Sequence, residues 1–128
     1  MQPAAQQQTQ YEAILTSFQD RFNQHERAKK LVKDWNRWIV LTATDTGSQF
    51  ALVVDNQEMT DVRPIREFDE DADNIVHLEA EETVLGDIFS GKYNPATALM
   101  DGALAVFSKE RDKVKLEALA MVIWRLGS

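Results

Sequence analysis

Residues 86–106 read GDIFSGKYNPATALMDGALAV, and the reading of this stretch decides the fold. Its first eight residues fit two structures. A glycine, four residues and then Gly-Lys is the frame of a phosphate-binding loop, but Tyr93 stands where Ser or Thr would hold a magnesium ion. Such a loop also needs a buried apolar strand ahead of it and pliant residues between its glycines. Ala80 to Leu85 favour helix instead, Asp87 would repel phosphate, and Ile88 and Phe89 continue a helical stripe begun by Val84 and Leu85. The stretch therefore reads as a helix that ends at Gly91. A short second helix follows, capped by Asn94, with Pro95 in its first turn and its end near Gly102. Ala103 to Phe107 reads as a strand.

Upstream, Tyr11, Ile14, Leu15, Phe18 and Phe22 recur at helical spacing and predict one helix to about Lys30. Its last turns carry Arg27, Lys29, Lys30 and Lys33, which suits the negative end of the helix dipole. Trp35–Thr44 is rich in aromatic and β-branched residues and predicts a strand. Thr44–Ser48 is turn chemistry, with Gly47 free to take positive φ, and Phe50–Val54 is the partner strand of a hairpin. Met59–Ile65 predicts a third strand, with Pro64 confining its end to an edge or bend. Ile75–Leu78 predicts a fourth. Downstream, Ser108 is placed to cap a last helix from Lys109 to Leu126. Residues 1–9 are Gln- and Ala-rich and are expected to form a flexible lead before a single domain over 10–128.

Composition limits what this domain does. The chain has 128 residues, no cysteine and a formal charge of −7. One core is feasible at this length. Disulfides, thiol nucleophiles and cysteine-ligated metals are excluded, and a reducing, cytoplasmic setting is the expectation. An acidic chain repels phosphate backbones, so nucleic acid is not an expected partner. No apolar run reaches the length of a membrane span, and the first residues lack the marks of a secretion signal.

The remaining motifs weigh little. Asp69–Asn74 mimics the start of a calcium loop, but Asn74 and Ala80 stand where that loop needs glycine and glutamate. His25 and His77 lie far apart in sequence and suggest no shared metal. No glycine-flanked serine elbow is present. Residues 58–87 hold many carboxylates, which at loop and helix-start positions are by default solvated. No metal site, cofactor or catalytic set is expected. The run Ala118–Trp124 is apolar around the whole helix circumference. One face can pack on the sheet; the other is covered by a neighbouring helix or subunit, or walls a cavity.

Residues 86–106 resemble the signature of the sterol carrier protein type two family of lipid-binding domains. The resemblance rests on Gly91-Lys92, Asn94-Pro95, Ala98, Met100, Gly102, Leu104 and Val106, about a sixth of the chain, and the order of the other elements agrees with it. Two features depart from the pattern. Ala103 replaces a usual Lys or Arg, and residues 107–112 replace a glycine-rich turn. The resemblance implies an α+β fold: a five-stranded, mostly antiparallel sheet covered by about five helices, with an apolar cavity between them. It implies binding or transfer of a hydrophobic small molecule, such as a fatty acyl chain, acyl thioester, sterol or isoprenoid-like lipid, without catalysis. The expected ligand-binding residues are Leu85, Ile88, Phe89, Leu99, Met100, Leu104, Val106, Leu119, Val122 and Ile123, with Trp35 or Trp38 as reporters of occupancy. An accessory or dimerisation module for a lipid- or quinone-modifying enzyme is the alternative. A homodimer and a transient membrane contact through residues 27–33 are left open.

Overall fold

Helix α1 (Pro3–Gln24) buries Tyr11, Leu15, Phe18 and Phe22, the stripe that its sequence spacing sets. The computed structural model describes the backbone of residues 3–127 and the side chains of residues 10–126. Residues 1 and 2 of the expected flexible lead lie outside that range, as do the side chains of 3–9. The backbone of 3–9 forms the first turns of α1, as Ala and Gln favour.

The first helix does not run unbroken to Lys30. It stops at Gln24, and a separate helix α2 (Glu26–Leu31) begins after His25. His25 takes extended backbone angles, and its Nδ1 accepts from the Ala28 amide at 3.2 Å, so the histidine caps α2.

Strands β1 (Arg37–Ala43), β2 (Gln49–Asp55), β3 (Glu58–Pro64), β4 (Ile75–Ala80) and β5 (Ala105–Phe107) form one sheet in the order β3-β2-β1-β4-β5. Three pairings are antiparallel. The central pair, β1 with β4, is parallel, with Val40 opposite His77. Strands β2 and β3 are joined by Asn56 and Gln57, at φ 53° and 67°, the backbone twist that a tight hairpin needs. Alternation gives the sheet two faces. Ile39, Leu41, Leu52, Val54 and Val76 point toward the helices and join the core. Val40, Ala51, Ile75 and His77 are buried on the opposite face.

Helices α3 (Glu82–Phe89) and α4 (Pro95–Met100) are set by the stretch read first. Gly91 has φ 84°; its amide reaches the Ile88 carbonyl, and the Lys92 amide reaches Asp87 at 2.8 Å. Gly102 repeats the arrangement at φ 78°, with the Ala103 amide on Ala98 at 2.9 Å. Both helices thus end in the same left-handed glycine cap. Between them, Asn94 Oδ1 accepts from the Ala96 amide, and the Tyr93 hydroxyl donates to Asp101 Oδ2 at 2.9 Å. Gly86 lies inside α3 and Lys92 is exposed, so no phosphate cradle forms.

Helix α5 (Lys113–Gly127) starts later than expected, because Glu110–Asp112 form a separate 3-10 turn and Ser108 caps nothing. No helix among the described residues is long and apolar enough to cross a membrane.

Candidate functional site

A cavity of about 530 Å³ lies between the inner face of the sheet and the helices. That volume falls within the usual range for small-molecule sites, about 300–1,000 Å³. Leu85, Ile88 and Phe89 of α3 form one wall and Leu119, Ile123 and Trp124 of α5 another. Leu104 and Val106 line it from the sheet's edge, and Leu99 lines it from α4. These residues reach the cavity because α3, α4 and α5 each turn one apolar stripe toward the sheet.

Two of the expected residues do not reach it. Met100 is 87% exposed, because Ala98 takes the inward position of the six-residue α4. Val122 packs against the core from the flank of α5 and does not border the cavity. Neither expected tryptophan borders it either. Trp35 is buried against Asp112, and Trp38 lies on the outer face with the Arg63 guanidinium 5.2 Å from its ring. Trp124 is the tryptophan that borders the cavity.

The sequence reading also missed a wall. Phe18 and Phe22 of α1, with Leu52 and Met59 of the sheet, close the deep end. Phe18 meets Phe89 edge to face at 5.0 Å. The apolar stripe of α1 was the available signal, and only its destination was hidden.

Arg21 holds these walls in place. Its guanidinium donates to the Leu126 carbonyl at 2.7 Å and to the Phe89 carbonyl at 3.1 Å. These are last-turn carbonyls of α5 and α3, so one cation satisfies two helix ends and faces the negative end of each dipole.

Charge is confined to the mouth. Lys113, Glu117, Met121 and Arg125, four residues apart along α5, form an exposed edge of the lining, facing Ala96 and Leu99 of α4. Leu99 and Met121 are 51% and 62% exposed, so the opening has an apolar lip. Among the described residues that line it, no nucleophile, base or ligand set converges. Among the described residues, no three His, Asp or Glu side chains are grouped to hold a metal ion. The arrangement can enclose apolar matter, each buried methylene gaining about 0.8 kcal/mol.

The sequence profile of the SCP-2 sterol transfer family matches residues 15–106. No curated protein matches the chain significantly. Among solved structures, a crystal structure of sterol carrier protein 2 is similar at TM-score 0.65 and 17% identity, over 90% of this chain and 93% of that one. A ubiquinone synthesis protein, UbiJ-SCP2, is similar at TM-score 0.57 and 18% identity, over 88% and 90%. The inverting sec-alkylsulfatase Pisa1 from Pseudomonas sp. is similar at TM-score 0.52 and 16% identity; the match takes in 72% of this chain but spans only 13% of the sulfatase. At these identities the likeness is one of fold.

Proposed function

Because the chain belongs to the SCP-2 sterol transfer family, we propose that it is a lipid-binding protein that encloses a hydrophobic small molecule and does no chemistry on it. The cavity carries this reading: an apolar space of about 530 Å³ with its charges at the mouth. An acyl chain, acyl thioester, sterol or isoprenoid-like molecule would lie with its apolar body against α3, α5 and the sheet and any polar end at the mouth. Such a pocket is tolerant, because one methylene more or less changes binding by only about 1–3 kcal/mol. Leu85, Ile88, Phe89, Leu99, Leu104, Val106, Leu119 and Ile123 are the proposed ligand contacts.

The test is displacement of a fluorescent fatty acid, together with mass spectrometry of lipids extracted from the purified protein. Ile123→Trp fills the cavity and should weaken probe binding more than tenfold while the fold is kept. A wild-type protein that binds no probe at micromolar concentration and carries no lipid would sink the reading.

A second reading is an accessory module that docks on a lipid- or quinone-modifying enzyme or on its own copy. The likeness to UbiJ-SCP2 favours it, as do the exposed apolar side chains Val114 and Met121 on one face of α5. Light scattering with and without Met121→Asp separates it from a monomeric carrier.

A further inference from the structure

The outer face of the sheet, opposite the cavity, holds a buried histidine that the lipid-binding reading does not use. Residues 65–74 connect β3 to β4 and cross this face. We propose that this segment is a strap locked down by protonation of His77.

His77 is 4% exposed, sits on β4 and stacks edge to face on Phe68 of the strap at 4.7 Å. Its Nε2 lies 2.8 Å from Thr42 Oγ1. The Thr42 hydroxyl proton is already given to Gln49 Oε1 at 2.9 Å. The orientation of the Gln49 amide is fixed in turn, because its Nε2 donates to the Arg66 carbonyl at 2.9 Å. Thr42 therefore accepts from His77, and the neutral ring carries its proton on Nε2. That leaves Nδ1 as a bare lone pair, buried and without a hydrogen-bond partner. Glu70 Oε2 of the strap lies 3.5 Å from it. In the neutral state two acceptors face each other.

Protonation turns this contact into a charge-assisted hydrogen bond from Nδ1 to Glu70. Glu79, on β4 beside the histidine, has Oε2 3.6 Å from Nε2 and favours the same charge. Phe68 of the strap and Phe107 of β5 are the uncharged neighbours. The cation at this edge, Lys109, is held on the Asp71 carbonyl at 3.0 Å. The strap's other tethers do not involve a histidine: Gln49 holds the Arg66 carbonyl, Lys109 and Arg111 hold the Asp71 and Asp73 carbonyls, Arg111 also pairs with the Asp73 carboxylate at 3.9 Å, and backbone hydrogen bonds join Ile65 to Gln49 and Asn74 to Trp38. His77 to Glu70 is the tether that pH can make or release. The chain has two histidines, and the other, His25, caps α2. Histidine is the side chain whose ordinary titration falls between pH 5 and 8.

Hydrogen exchange of the full chain in a His25→Asn background tests the strap at pH 7.5 and 5.5, corrected for intrinsic rates. Opening of residues 65–74 should slow roughly two- to fivefold at the lower pH, the scale of a half-exposed ion pair. Glu70→Ala should remove the difference without unfolding the protein, since Glu70 is on the surface. Nitrogen-15 spectra at high pH should show the Nε2–H form of His77. Equal opening at both pH values, an unchanged pH effect in Glu70→Ala, or the Nδ1–H form at high pH would overturn the proposal.

Discussion

The indole nitrogen of Trp35 donates to Asp112 Oδ1 at 2.9 Å, joining residues 77 apart in the chain. Arg37 grips the same carboxylate from the other side, with contacts of 3.0 and 3.2 Å to its two oxygens. The entry to α5 is thereby fixed to the start of β1, and with it one wall of the cavity. Burial works to raise the Asp112 pKa. The hydrogen bonds from Arg37 and Trp35, with the charges of Arg37 and Arg111, outweigh it and hold the carboxyl below its ordinary value. Asp112→Ala strands both donors and should cost about 3 kcal/mol in denaturant titrations at pH 7. Because the folded-state pKa is depressed, the stabilisation is complete above the unfolded value of 3.8. The pH-linked part is lost as pH falls through the lower folded value, so the gap between wild type and Asp112→Ala should narrow only below about pH 4.

Two glycines five residues apart should respond oppositely to alanine. Gly91 has φ 84°, where a Cβ costs about 1–2 kcal/mol, so Gly91→Ala should destabilise by that amount. Gly86 lies within α3, and a Cβ there would meet Ile14 Cδ1 at an ordinary 3.5 Å. Gly86→Ala should be neutral or stabilising by up to about 1 kcal/mol. Thermal melts of the two variants give the comparison directly, and two destabilisations of equal size would contradict the left-handed cap.

Tryptophan emission should separate the three indoles. If the cavity takes lipid, the emission change on binding should vanish in Trp124→Phe and persist in Trp38→Phe, whose indole lies on the outer face under Arg63.

The break between α1 and α2 depends on the acceptor Nδ1 of His25. His25→Ala should cost about 1 kcal/mol, while His25→Asn, which keeps a capping acceptor, should cost little. Equal losses in urea titrations would mean that the side chain caps nothing.

The helix ends at Gly91 and Gly102 were legible because a left-handed cap is a local need that glycine meets. The cavity walls on α3 and α5 were legible for the same reason that their stripes were. The rest depended on distance or on phase. Six residues of α4 do not fix which side turns inward, so Met100 and Ala98 could not be told apart in advance. Asn23 and His25 disfavour a helix interior only weakly, so composition does not mark the break between α1 and α2, and the kink is visible through the cap that His25 makes. The parallel sense of β1 and β4, the Arg21 clamp and the ring of partners around His77 join residues remote in sequence, which spacing alone does not encode.

The parallel pair at the centre of the sheet also sets an order of assembly. Strands β1, β2 and β3 follow one another through short turns and can zip as neighbours. Strand β4 can dock on β1 only after the chain has passed through both hairpins and the strap. Such long-range closure is slow compared with local zipping. Docking of β4 brings His77 onto Thr42, and Asp112, at the entry to α5 further along the chain, then reaches Trp35 and Arg37. The cavity is therefore expected to close late in folding, after the secondary structure has formed.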